Sequence, residues 1–172
     1  MTSVPTDGLG VWMPLLPQHL DRVNEIADLI HTTLPERPEV FDEKCRLFPE
    51  GCRVFVRRGR ILGYAVSHSW LLGRIPPLDE FLRALPEQPT CLYLHDIVVL
   101  PEARGQKAAE GFLELLENLA RRMSVSHLAL VSVYGTDALW NRHGFKVAQT
   151  PELAVKLRSY GPTAKYMTRA LA

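Results

Sequence analysis

The sequence predicts an α/β (α+β) protein, a mixed sheet of about six to seven strands flanked by about four helices, and three observations carry this. Residues 91–123, CLYLHDIVVLPEARGQKAAEGFLELLENLARRM, pass from an aliphatic run through one sharp loop directly into helical spacing. Residues 127–133, HLALVSV, then read as a buried strand, which the right-handed crossover rule lays parallel to the strand before the helix. Cys52 to Val56 and Ile61 to Trp70 are strands joined through Arg57-Arg58-Gly59-Arg60, a tight polar hairpin connection.

Length and composition narrow the class. A chain of 172 residues suits one domain spanning 1–172 and can bury a sizeable core. With 47% apolar and 23% charged residues and a formal charge of +1, nothing global draws it to nucleic acid or to an acidic membrane. Cys45, Cys52 and Cys91 are odd in number and lack CxxC spacing, so neither a disulfide framework nor a zinc site is implied, and a reducing cytoplasm fits best. The opening MTSVPTDGLG has no basic start followed by an apolar core, and no apolar run approaches the ~20 residues that span a bilayer. A soluble, unprocessed, cytoplasmic protein is the expectation.

In chain order, a flexible start leads to a short strand from Val11 to Leu16. Pro17 to Leu34 follows as a helix with Leu20, Val23, Ile26, Ala27 and Ile30 on one face, Pro17 suiting its first turn. The segment LPERPE at 34–39 breaks it, and Val40 to Phe48 forms another short helix. Glu36, Glu39, Asp42 and Glu43 then crowd into an acidic corner, either a solvated helix start or a rim that attracts a cationic amine. On the second hairpin strand, Tyr64, Val66, His68 and Trp70 share a face by the two-residue period, as cleft lining or as core. Leu71 to Thr90 is a proline-bearing connection in which Leu78 to Leu85 suits a short helix, and a loop this long reads as a substrate-side cover. Near the end, Thr136 to His143 is a short helix stopped by Gly144. Phe145 to Gln149 and Ala164 to Leu171 are strands around a polar connection at 151–162.

The loop inside the central stretch carries the chemistry. Pro101 ends the strand, and Ala108, Phe112, Leu115, Leu116, Leu119 and Met123 then recur at three- and four-residue intervals, the face of a helix packed on a sheet. The connector PEARGQKA opens on a helix N-terminus, whose first amides lack partners and whose dipole is positive. Arg104 and Lys107 add charge, Gly105 lets the backbone turn, and small Ala108 and Ala109 allow a phosphate chain close approach. No GxxxxGK(S/T) is present, and one glycine does not make GxGxxG, so mononucleotide and dinucleotide readings lose ground.

Residues 99–109, VLPEARGQKAA, resemble the acyl-coenzyme A loop of the GNAT superfamily of N-acetyltransferases, patterned V-x-P-x-x-(R/Q)-x-x-G-x-(G/A). The run 140–145, WNRHGF, resembles that superfamily's Y-x-x-x-G-F element after the fifth strand, in the right order and at a fitting separation. Two departures stand out: Lys107 occupies the place of a usual glycine, and Trp140 that of the tyrosine that protonates the departing thiolate.

The resemblance implies a centrally splayed sheet with the pantetheine arm of acetyl-coenzyme A (acetyl-CoA) paired to the backbone of Ile97, Val98 and Val99. The diphosphate then rests on the amides of Gly105, Gln106, Lys107, Ala108, Ala109 and Glu110, with the charge of Arg104 alongside. Strand alternation puts Tyr93 and His95 on the side of Ile97 and Val99, with Asp96 facing the other way. His95 is then the candidate general base, or else a buried strand histidine bonded to a neighbour; some arylalkylamine-type relatives have histidines at the positions of Tyr93 and His95. Tyr93 relays the proton or shapes the pocket, Asp96 orients a neighbour or is satisfied by loop amides, and a backbone N–H near Ile97 holds the oxyanion. An indole is too weak an acid, so Tyr134 replaces Trp140 as proton donor, or packs at a strand end while a thiol that ionises near pH ~8.5 leaves unaided. The resulting expectation is an acyltransferase acting on a small-molecule amine by direct attack in a ternary complex. It needs no metal, nucleic acid or membrane, and a homodimer is compatible with it. The alternatives are acetylation of a protein N-terminus or lysine, or a non-catalytic acyl-CoA-binding domain.

Overall fold

In the computed structural model, which describes residues 8–172, periodicity and alternation resolve into seven strands and five α-helices. In chain order they are β1 (Val11–Pro14), α1 (Leu20–Ile30), α2 (Pro38–Leu47), β2 (Cys52–Arg57), β3 (Arg60–Trp70), β4 (Cys91–Val99) and α3 (Ala108–Arg122). Then follow β5 (His127–Ser132), α4 (Asp137–Arg142), β6 (Lys146–Val147), α5 (Pro151–Leu157) and β7 (Lys165–Ala170). One mixed sheet orders them β1-β2-β3-β4-β5-β7-β6, and only the β4–β5 pair is parallel. The opening residues 1–7, read from the sequence as part of an irregular, unprocessed start, lie outside the described residues. Among those described, no helix is long and apolar enough to cross a membrane.

Local chemistry explains most boundaries. Arg58 and Gly59, both at positive φ, make the two-residue turn whose twist matches the β2–β3 hairpin, with Arg57 opposite Arg60. In α3 the buried stripe is Ala108, Phe112, Leu113, Leu116, Leu119 and Ala120, while Leu115 is only half-buried. Edge strand β1 is clasped to that helix: the Trp12 indole N–H donates to the Ala108 carbonyl at 2.8 Å, and its ring packs on Phe112 and Phe55.

Two features of the centre position the site. The first is the splay: β4 pairs with β5 only from Cys91 to Leu94, opposite His127 to Leu130, and the two strands then separate. The second is a bulge. Val66 faces Asp96 and Ser67 faces Leu94, which leaves His95 without a partner on β3. Leu92, Leu94 and Ile97 therefore all pack towards α3, whereas Val98 joins the cluster beneath α1 and α2 with Val23, Ile26, Phe41 and Tyr64. Uninterrupted alternation would have set Tyr93 and His95 with Ile97. The bulge reverses the phase, and the rings of Tyr93 and His95 lie on the opposite side, where Asp96 also points.

Three local expectations are corrected. Residues 78–85 form no helix: Asp79 and Arg83 adopt positive φ, and the Leu82 and Arg83 amides donate to the Glu43 carboxylate at 2.6 and 3.0 Å. The 151–162 connection contains α5, capped by the Thr150 hydroxyl, which accepts from the Leu153 amide, and buries Leu153, Leu157 and Tyr160. The strand expected over Phe145 to Gln149 is only the two residues of β6.

Candidate active site

The loop after β4 leads into a helix N-terminus whose amides no side chain caps. A 3-10 turn at Pro101–Ala103 is followed by Arg104 in extended conformation, Gly105 at φ +82° facing open space, and Lys107 in the left-handed region at φ 56°. No side chain caps α3, so the amides of its first turn are free of side-chain acceptors. The Gln106 side chain points elsewhere, its Oε1 accepting from the Gly10 amide at 2.8 Å, so only its backbone serves the loop. Arg104 is exposed, its Nε donating to the Val99 carbonyl at 3.4 Å.

The left-handed backbone explains why glycine is usual where Lys107 stands, since an L side chain there costs roughly 1–2 kcal/mol. The lysine is exposed and leaves the loop open. Lys107→Gly should relieve that strain, partly offset by a freer unfolded chain, for a net stabilisation of about 1 kcal/mol or less, read by thermal or urea unfolding.

From this loop a cleft of about 590 Å³ runs up the splay. Ile97, Val98 and Val99 line one wall, Leu130, Val131 and Trp140 the other, and Arg104, Gly105, Ala108 and Ala109 its end. Trp140 is a wall, 8% exposed and packed edge-on against Phe145.

At the other end, four elements contribute one chain of polar contacts. His31, which caps the C-terminus of α1, sets Nε2 2.9 Å from both Asp96 oxygens and Nδ1 2.9 Å from the Tyr134 hydroxyl. The Tyr64 hydroxyl donates to Asp96 Oδ2, one of the same two oxygens, at 2.5 Å. Burial by itself would lower the pKa of His31, but the hydrogen bond and charge of Asp96, with Glu36 behind, outweigh it and hold the pKa above the ordinary histidine value. Tyr134 sits just past β5 with positive φ, half exposed.

Behind β4 lies a second pair. The Glu36 carboxylate meets His95 Nε2 at 2.6 Å, with side chains only 7% and 2% exposed. Burial pushes the Glu36 carboxyl up, yet the charge and hydrogen bond of His95, with Lys44 nearby, win and bring it to about 2. Lys44 itself is fully buried, its pKa lowered by desolvation against the pull of Glu36, Glu43 and Asp79.

The sequence-derived candidates thus separate. Ile97, Val98, Val99, Arg104, Gly105, Ala108 and Ala109 line the cleft, and Gln106, Lys107 and Glu110 sit beside its closed end. Tyr134 lines it too. His95 reaches it by its strand position, but its ring is buried on the far face against Glu36, Phe41 and Tyr93. Tyr93 is not brought to the cleft: it is 1% exposed and packed with His68 among Ile75, Tyr160 and Tyr166. His68 is likewise core, held neutral by burial with its pKa lowered to about 3, so the Tyr64-to-Trp70 face forms no cleft wall. His31 was not anticipated, because nothing in HTTLPERPE marks a histidine whose partners lie 65 and 103 residues away. Glu36 was visible only as one acid in a cluster. Among the described residues no group of His, Cys, Asp and Glu is placed to hold a metal.

A parallel pair splayed at the centre of a mixed sheet, with an uncapped helix N-terminus closing the gap, defines an acyl-CoA-type transferase fold. A profile of the Acetyltransferase (GNAT) family matches residues 20–145, and the chain belongs to that family, as an acyltransferase. No curated protein sequence matches it. Solved structures do. Ard1 from Thermoplasma volcanium is 17% identical with a TM-score of 0.71, the alignment covering 95% of this chain and 98% of that one. The ribosomal-protein-S18-alanine N-acetyltransferase from Escherichia coli is 15% identical with a TM-score of 0.66, covering 95% of each chain. N-acetylglutamate synthase from Neisseria gonorrhoeae, complexed with coenzyme A and N-acetyl-glutamate, is 17% identical with a TM-score of 0.72, over 97% of this chain and 36% of that one. At such identities these are likenesses of fold.

Proposed function

We propose that the protein is an acetyl-CoA-dependent N-acetyltransferase that acetylates a small-molecule amine by direct attack in a ternary complex. The observation that carries this reading is that a gap open on one side of β4 ends on a free helix N-terminus, the outline of an extended thioester with a diphosphate tail. Beyond Leu94 the β4 backbone has no β5 partner, so the backbone groups of Ile97 and Val99 that face the gap can pair with the amides of a pantetheine arm, while those of Val98 are turned to Tyr64 on β3. The diphosphate then meets the amides from Gly105 to Glu110 with Arg104 alongside. At the bulge, the Ile97 N–H is a fixed dipole for the thioester oxygen, strongest when that oxygen carries charge in the tetrahedral intermediate.

The acceptor side favours a small amine. His31 and Tyr134 meet across the cleft, their rings stacked at 5.9 Å, and narrow the approach to Asp96. The 71–90 segment is fastened over α2 by Glu36 and Glu43 and by Arg37, which is paired to Asp79. Asp96 is the carboxylate that lines this end of the cleft and can draw a cationic amine. In this reading the buried Glu36–His95 pair positions the bulge. A base role for His95 would need the proton to pass behind the strand, because its Nε2 is committed to Glu36.

Calorimetric titration with acetyl-CoA, followed by turnover with a panel of small amines beside N-terminal and lysine peptides, tests the reading. Saturable binding and preference for small amines support it. Binding without turnover favours an acyl-CoA-binding domain, and no binding removes the proposal. Ala109→Glu sets a carboxylate in the first turn of α3, where the helix dipole tolerates it but a diphosphate would be repelled. It should weaken acetyl-CoA at least about tenfold while leaving the melting temperature essentially unchanged.

A further inference from the structure

We propose that His31 couples Asp96 to Tyr134 as a proton relay for acyl transfer, so that Tyr134 Oη takes the amine's proton and returns it to the departing thiolate. This rests on the N-acetyltransferase reading and supplies the acid that Trp140 cannot be. Both ring nitrogens of His31 are engaged, Nε2 by Asp96 and Nδ1 by Tyr134. A carboxylate accepts only, so Nε2 carries a hydrogen and, in the neutral ring, Nδ1 is left to accept the Tyr134 O–H. Asp96 is fixed from behind by Tyr64, which keeps the His31 tautomer and orientation set. His31, Asp96 and Tyr134 all line the cleft, and Tyr134, half exposed where the other two side chains are largely buried, is the most open of them to the reacting atoms. His31 acts through it and is a positioning and relay residue.

The step balances without a co-reactant. The neutral amine attacks the thioester carbonyl and forms the C–N bond. Tyr134 Oη takes one N–H proton as its own passes to Nδ1, leaving an imidazolium that Asp96 stabilises. As the C–S bond breaks, the thiolate takes a proton from Oη, Nδ1 returns one to Oη, and the protein is back at its starting state. Charged and titratable groups around His31 are Asp96 on β4, Tyr134 beyond β5, Glu36 in the α1–α2 connection and Asp28 on α1.

The test uses coenzyme A itself and needs no knowledge of the amine. Ultraviolet thiolate absorbance is titrated against pH for coenzyme A bound to the full chain, with desulfo-coenzyme A as the blank. A Tyr134 hydroxyl backed by His31 should stabilise the bound thiolate, giving about tenfold more thiolate at a given pH than free coenzyme A, a shift of about one pH unit. Tyr134→Phe and His31→Gln should each abolish that shift while coenzyme A affinity stays within about threefold, since neither contacts the diphosphate end. If coenzyme A binds and its thiol titrates alike in the parent and both variants, the relay is overturned and the acetyltransferase reading stands. If coenzyme A does not bind the parent protein, that reading fails and takes the relay with it.

Discussion

Glu36→Gln is expected to cost roughly 3–5 kcal/mol of stability at neutral pH, because it strands His95 and Lys44 in the interior without their shared anion. The folded Glu36 carboxyl titrates at about 2 against an ordinary value of 4.5. A depressed carboxylate contributes stability that is complete above the unfolded value and is lost as pH falls through the folded one. That window is therefore pH 4.5 down to 2, and the shift is worth on the order of 3 kcal/mol. Urea unfolding as a function of pH checks it: parent and variant should differ most near pH 7 and converge towards pH 2. Curves that stay parallel across the acid range would show that the charge of Glu36 is not what the fold uses. Because Glu36 also accepts from the Asp79 amide at 3.2 Å, the variant should loosen the 71–90 segment as well, visible as faster amide exchange there.

What the sequence discloses here is what is local. The β4–loop–α3 unit is readable because an aliphatic run meets helical spacing at Pro101 and because the loop's own residues set its conformation. The hairpin at Arg58-Gly59 is readable for the same reason. The bulge at His95 is not, since it is defined by the register of β3 against β4, and one unpaired residue exchanges the faces of everything downstream. That is why Asp96, expected to face away from His95, shares its side of the sheet. Residues 78–85 have a helix-like apolar spacing, but Glu36 and Glu43 claim their backbone amides, and tertiary hydrogen bonds override propensity. The Asp96–His31–Tyr134 chain joins three segments that only the splay and the end of α1 bring together, so the loop end of the cleft was legible, whereas Asp96 and Tyr134 were marked singly and their link through His31 was not.

Phe112→Ala is expected to destabilise the protein by about 3–5 kcal/mol and to weaken acetyl-CoA binding at the same time. Phe112 is fully buried one turn into α3, with its ring 5.3 Å from that of Trp12 and its neighbours Leu113 and Leu116 on the sheet. Removing it opens a cavity under the first turn of the helix to which the proposed function assigns the diphosphate. It also removes the surface on which Trp12 rests; β1 is otherwise held to this helix by the Trp12-to-Ala108 hydrogen bond, and the residue before it to the preceding loop by the Gly10-to-Gln106 bond. The loss should appear as a melting temperature lower by roughly 6–20 °C, at about 2–4 °C per kcal/mol for a chain of this size. Trp12→Phe separates the two contributions, since it keeps an aromatic ring against Phe55 and Phe112 and deletes the indole N–H donor. Its cost should be nearer about 1 kcal/mol, with smaller loss of cofactor affinity. If Phe112→Ala lowered stability but left acetyl-CoA affinity untouched, the helix start would be rigid without its apolar support. The geometry of the anion site would then be set by the Pro101–Lys107 loop alone.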